Sequence, residues 1–249
     1  RQFYKFIGTL SKIKIQFCTS LDRTRGNTAM HLLQPQLEVT TSSLVSPHSI
    51  TAPMLTPDQV QRSSWKTLTT EPEQVDWLIL HFNHWFSHHN VTLVKGDFEP
   101  EYFPAINQQP AKIQFAHGFF NSALHEISHW SISGEKRRLL PDLGYWYAPD
   151  GRTAEQQALF EQVEIKPQAI EWLFATAFGR KFRVSLDNLT GDSGNGTQFK
   201  DHVFAQVQRY FSGEATLPRD AALFIHYICV CTRHGLPLQL NEFKRELLD

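Results

Sequence analysis

The sequence predicts an α+β fold, richer in helix than in strand, with a small sheet and one helix that carries a His-Glu-x-x-His pair. Three observations predict it. Long segments repeat apolar residues every three to four positions, the period of a half-buried helix. Two short apolar runs are bounded by turn residues, as strands are. His125-Glu126-Ile127-Ser128-His129 sits in a segment with helical patterning on both sides.

Val75, Leu78, Ile79, Phe82 and Phe86 mark an amphipathic first helix. Val91 to Val94 reads as a strand stopped by Lys95-Gly96-Asp97, and Lys112 to Ala116 as a second. Asn121 or Ser122 is the expected cap of the His-Glu-x-x-His helix, because a short polar side chain can accept from its orphan N–H groups. Gly134 suits its C-terminal end. A ring-rich loop runs from Leu143 to Arg152, with Pro149-Asp150-Gly151 as turn chemistry. A long helix is expected from Thr153 to Phe178, kinked or divided at Pro167, which lacks a donor and clashes one turn back. Phe182 to Leu186 reads as a strand and Asn188 to Gly196 as a polar loop. Further helices are expected near 198–212, 219–233 and 241–248.

Residues 1–70 differ from the rest of the chain. Nineteen of the seventy are Ser or Thr, and eight Lys/Arg stand against three Asp/Glu. They lack a sustained period and read as a disordered tail, or as upstream sequence included by a wrong start site; the chain opens on Arg1 rather than Met. Residues 71–249 read as one metal-dependent domain. That body carries sixteen Lys/Arg and twenty-two Asp/Glu, a poor balance for phosphate neutralisation, so no nucleic-acid partner is expected. No apolar run approaches the ~18 residues of a membrane span. The three cysteines, Cys18, Cys229 and Cys231, form no disulfide framework and fit a reducing cytoplasm.

Two histidines four apart on a helix point two imidazoles at one ion. Glu126 beside them can reach a metal-bound water. A third ligand must come from elsewhere, and a carboxylate is usual. The candidates are Glu161 and Glu164, which with Gln168 share one helical face. Glu164 is favoured because Val163 and Ile165 make its surroundings apolar, and a buried carboxylate is costly unless paired or metal-bound. Zinc at such a site would activate water for peptide cleavage with Glu126 as base. Iron(II) would offer open positions to dioxygen. On these residues alone a zinc metallopeptidase stands ahead.

A resemblance changes that balance. The stretches Val94-Lys95-Gly96-Asp97-Phe98-Glu99-Pro100, Phe115-Ala116-His117-Gly118-Phe119 and His125-Glu126-Ile127-Ser128-His129-Trp130 resemble the elongation factor P hydroxylases of bacteria. So do Gly144-Tyr145-Trp146-Tyr147, Pro149-Asp150-Gly151-Arg152, Phe160-Glu161, Val163-Glu164, Lys166-Pro167-Gln168-Ala169 and, from Val184-Ser185 onward, Asp187-Asn188-Leu189 with Gly191-Asp192. The likeness runs in chain order from about residue 72 to about 212, leaving Cys229 and Cys231 outside as helix-packing residues. It implies a non-heme iron hydroxylase that acts on the lysine of elongation factor P already bearing a β-lysyl group. It also implies a fold closer to metalloproteases, zincin-like, than to barrel oxygenases.

Carried over by position, the resemblance implies His125, His129 and Glu164 as iron ligands, with Glu161 still an alternative. Dioxygen is the implied co-substrate. Its four-electron reduction needs two electrons beyond those of a C–H bond, from a donor the sequence does not name. A 2-oxoglutarate site would need a basic anchor, for which Arg152, Lys166 and Arg183 are candidates. Glu126 is the expected proton-handling residue. His117, Tyr145, Trp146, Tyr147, Asp142, Gln168 and Asp187 are the expected wall of the substrate pocket, the rings offering cation–π attraction to a cationic chain. A protein that binds elongation factor P around a structural metal, without chemistry, is the remaining alternative.

Overall fold

In the first helix, α1 (Glu71–Trp85), the entry is fixed by a reciprocal cap. The Thr70 hydroxyl accepts from the Glu73 backbone N–H, and the Glu73 carboxylate accepts from that of Thr70. Its apolar stripe buries Val75, Leu78 and Phe82 completely. The structure is a computed structural model that describes residues 64–144, 152–185 and 196–249. All of them lie within one unit running from Leu55 to Asp249. The packed chain reaches back beyond α1: the Trp65 ring lies 4.7 Å from Phe178 and 5.5 Å from Phe120, and its indole N–H donates to the Phe178 carbonyl at 3.2 Å.

Among the described residues the sheet has three strands, β1 (Val91–Lys95), β2 (Glu101–Phe103) and β3 (Ala111–Phe115), in the order β1-β3-β2. β1 runs parallel to β3, and β2 antiparallel to it, with Leu93 and Tyr102 both opposite Ile113. Val91, Leu93, Ala111, Ile113, Phe115 and Tyr102 are buried and their neighbours are not, the period of two that a one-sided sheet requires. β1 has its second edge occupied by a side chain. The Asn83 amide donates to the Leu93 carbonyl at 3.2 Å and its oxygen accepts from the Leu93 N–H at 2.6 Å. β2, which sequence patterning does not reveal, is three residues long and therefore leaves almost no periodic signal.

The His-Glu-x-x-His helix, α2 (Phe120–Ile132), comes after β3 through a turn in which His117 and Gly118 take φ of 51° and 69°. Neither Asn121 nor Ser122 caps it. The Ser122 hydroxyl instead accepts from the Ala116 N–H, and the Phe120 N–H donates to the Glu71 carboxylate of α1 at 3.0 Å. A neighbouring helix thus does what a local side chain was expected to do. Arg180 pairs with Glu71 at 3.3 Å and lies 4.4 Å over the Phe120 ring, fixing the carboxylate in place.

α3 (Ala154–Ala177) is one unbroken helix despite Pro167. It packs against α2, α4 (Gly196–Ser212) and α5 (Arg219–Thr232), and three neighbours hold a helix that has lost one hydrogen bond. No strand forms over Phe182–Ser185. The Gln168 side chain occupies both backbone groups of Ser185, donating to its carbonyl at 2.7 Å and accepting from its N–H at 3.0 Å. The expected helix at 241–248 is instead two short 3-10 turns, Leu240–Glu242 and Arg245–Leu248. Cys229 is buried in α5 and Cys231 exposed. The core is aromatic: Trp130 meets Phe82 and Phe86 edge-on at 5.5 and 5.2 Å, and Phe224 meets Phe174 at 4.8 Å. Among the described residues no helix is long and apolar enough to cross a membrane.

The far end of α2 is held by Arg138. Its guanidinium donates to the Trp130 carbonyl at 3.0 Å, lies 3.9 Å over the Trp130 ring and pairs with the buried Asp220 of α5 at 2.6 Å. Burial opposes the Asp220 charge, but Arg138, with His89 and Arg219, outweighs it and holds the carboxyl below its ordinary range. The pair therefore stabilises the fold above the ordinary Asp pKa, and that contribution is lost as pH falls through the lower folded value. Arg138→Ala leaves the buried Asp220 with only Arg219 and His89 beside it and is expected to cost about 2–3 kcal/mol, less than a fully stranded buried charge because one guanidinium remains. Urea unfolding of both proteins between neutral and acid pH checks this: the difference between them should shrink as Asp220 protonates, and a gap independent of pH would refute the pairing.

Candidate metal centre

α2 divides its surface by chemistry. Ala123, Leu124, Ile127 and Trp130 are buried in the core, while His125 and His129 occupy an adjacent strip. Against that strip α3 lays a polar seam of Gln157, Glu161, Glu164, Gln168 and Glu171, spaced by fours and threes so that all share one face. Four of the five are buried and Glu161 is half-buried.

Three side chains converge. His125 Nε2 and His129 Nε2 are 3.1 Å apart. The Glu164 carboxylate reaches His129 Nε2 at 3.3 Å and His125 Nε2 at 3.6 Å. One donor atom from each of the three lies within 4.8 Å of the other two. Glu164, 1% exposed, is the carboxylate of this cluster. Glu161 is elsewhere on the seam and accepts from the Gln157 amide at 3.3 Å.

The donor set fits a divalent cation. Donors at ~2.1 Å from one ion stand roughly 3.0–3.4 Å apart for angles between square and tetrahedral, and the observed separations lie in or close to that range. The electrostatics agree. Burial opposes charge on His125, but the Glu171 hydrogen bond and the carboxylates of Glu164, Glu171 and Glu126 outweigh it and push the imidazole up to about 10. A cluster that draws a proton so strongly is one in which negative charge exceeds its protein partners. Burial raises the Glu126 carboxyl, partly offset by the two imidazoles, and raises Glu171 in the same way. The largest charged influences on all three come from carboxylates and imidazoles.

Glu171 is the residue that sequence reasoning missed. Its carboxylate lies 2.9 Å from His125 Nδ1, on the side of the ring away from Glu164. The signal is a lone carboxylate seven positions after Glu164, inside the apolar run Ala169-Ile170-Glu171-Trp172-Leu173.

The residues expected to wall the pocket have varied positions. Gln168 is fully engaged with Ser185 and is a structural tie. Asp142 is exposed, and its carboxylate accepts from the Tyr102 backbone N–H at 3.0 Å, joining β2 to the turn at Pro141–Gly144. His117 is exposed at the entry to α2. Arg152 is buried, stacked 3.9 Å over Phe160 and donating to Gln157, while Lys166 and Arg183 are exposed. Tyr145, Trp146, Tyr147, Asp150 and Asp187 lie outside the described residues.

The two candidate carboxylates are separable by metal content. Glu164→Gln is expected to weaken zinc or iron(II) binding by at least about tenfold, and Glu161→Gln to leave it near wild type. Metal analysis after dialysis against a weak chelator reads the difference, and the opposite ranking would move the ligand to Glu161.

Similarity to known proteins bears on the chemistry. The family model described as elongation factor P hydroxylase matches residues 81–243. The match runs past the expected end near 212 and takes in α5 with Cys229 and Cys231. The elongation factor P lysine hydroxylase of Haemophilus influenzae is 50% identical over 146 residues, which cover 58% of this chain and 81% of that protein. The region matched by the family model contains α2 and α3 whole, and with them every residue of the His125, His129 and Glu164 cluster. This chain belongs to the elongation factor P hydroxylase family.

Proposed function

We propose that the protein hydroxylates the lysine of translation elongation factor P that already carries a β-lysyl group, using iron(II) and dioxygen. The observation that carries the reading is the 50% identity to a protein named an elongation factor P lysine hydroxylase, in a chain whose family match holds the clustered His125, His129 and Glu164. These three residues hold the metal. Iron(II) there supplies dioxygen activation, which side chains cannot provide. The net reaction places one oxygen atom in a C–H bond and reduces the other to water, with two electrons from an external donor.

The chain's own residues set the conditions. Glu126, whose carboxyl is raised by burial, can hold a proton beside the two imidazoles and release it during turnover. The Glu164 and Glu171 carboxylates offset the charge of a divalent ion, so an ammonium-bearing side chain approaches a centre without excess positive charge. A two-histidine helix beside a small mixed sheet, with the third ligand on the next helix, supports the zincin-like, metalloprotease-related description. The same residues serve the zinc peptidase and structural-metal readings equally well, and membership of a hydroxylase family is what weighs against both. The domain is residues 71–249, to which the Trp65 ring is tied through Phe178 and Phe120, and the setting is the cytoplasm.

The test is the intact mass of β-lysylated elongation factor P after incubation with the protein, iron(II), a reductant and air. Gain of one oxygen atom on the modified factor, absent on the unmodified factor and absent with His125→Ala, is the expected outcome. A shortened product would instead establish peptide cleavage, and an unchanged mass with iron bound would refute hydroxylation under these conditions.

A further inference from the structure

We infer that Glu171 is a positioning residue of the metal centre, holding the His125 ring in the one tautomer and orientation that leaves Nε2 free to ligate. The inference rests on the metal site proposed above. Its basis is an asymmetry between the two histidines. The His129 side chain is 8% exposed, whereas the His125 side chain is 24% exposed. A half-open imidazole can rotate and can carry its proton on either nitrogen. At His125 Nδ1 lies 2.9 Å from the Glu171 carboxylate, which accepts only if that nitrogen carries hydrogen. In the neutral ring that ligates a metal, Nε2 is then the lone pair, and it is this atom that faces His129 Nε2 and Glu164.

The support is rigid because of where it comes from. Glu171 stands seven residues after Glu164 on one unbroken helix, so both carboxylates ride on the same backbone, two turns apart. Glu164 meets the metal-facing nitrogen of His125 and Glu171 the opposite one, so the ring is held between them. Among the described residues the Glu171 carboxylate has no hydrogen bond other than that to His125. It is nonetheless buried, with Ile170 and Trp172 beside it, and such a carboxylate is costly unless it does something for its partner. A carboxylate on the far nitrogen of a ligating histidine orients the ring and raises its donor strength.

The experiment uses zinc as a diamagnetic probe with wild type, Glu171→Ala, Glu171→Gln and His125→Ala. Chelator competition gives affinity, proton NMR of the zinc-loaded protein reports the His125 Nδ1–H, and melting of the metal-free protein reports the fold. Glu171→Ala is expected to weaken zinc binding about 10–100-fold and to lose the Nδ1–H signal, with no lower melting temperature before metal is added. Glu171→Gln, whose amide oxygen accepts the same proton, should keep a shifted signal and recover part of the affinity. Unchanged affinity in Glu171→Ala, equal losses in the two variants, or a loss that tracks a lower melting temperature would each overturn the inference. Wild type that binds zinc no better than His125→Ala would remove the metal centre itself, and this inference with it.

Discussion

The structure depends on the contact between α2 and α3, where two histidines meet a seam of buried carboxylates and amides. Helix pairs in a core are ordinarily joined by apolar side chains. Here the stripe that should be apolar reads Gln157, Glu161, Glu164, Gln168 and Glu171, and all but the half-buried Glu161 are buried. Such a seam is unfavourable unless each polar group finds a partner. Gln168 finds the Ser185 backbone, Gln157 finds Arg152, and Glu171 finds His125. Glu164 stands where two imidazole nitrogens converge, which is the place for a cation.

A site made from two helices is only as exact as their relative placement. α2 is held at both ends by charged side chains from elsewhere in the fold. Glu71 receives the Phe120 N–H at its start, and Arg138 grips the Trp130 carbonyl and ring near its finish. Between those clamps the buried face of α2 locks into the Phe82, Phe86 and Trp130 cluster. Side-chain atoms 3.1–3.6 Å apart tolerate little helix rotation, so these distant contacts are part of what keeps the three donors together.

Much of this is legible in the sequence, and what is not has a physical reason. The main helices and two of the strands announce themselves by period, and His125, His129 and Glu164 by spacing and by the apolar neighbours of Glu164. The cap of α2 is illegible, because Asn121 and Ser122 have the right chemistry while the true partner, Glu71, is 49 residues away and arrives by folding. The strand expected at Phe182 to Leu186 fails likewise: its apolar residues are genuine, but Gln168 takes the backbone groups a strand would need. Pro167 matters less than its chemistry suggests, since packing on three sides outweighs one missing hydrogen bond. Glu171 escapes notice because a single acidic residue in an apolar run reads as an interruption until the opposing helix is in view.

The same seam ties metal binding to stability. Without a cation, His125 draws a proton to a pKa of about 10, and Glu126 and Glu171 are pushed toward their neutral forms by burial. A metal ion entering this seam would compete with protons for His125. Ligand that binds the folded state alone stabilises it in proportion to the logarithm of its concentration over its dissociation constant. The aromatic core then has a second role: Trp130 of α2 meets Phe82, Phe82 meets Phe224 of α5, and Phe224 meets Phe174 of α3, so apolar contacts tie together the two helices whose facing sides carry the seam.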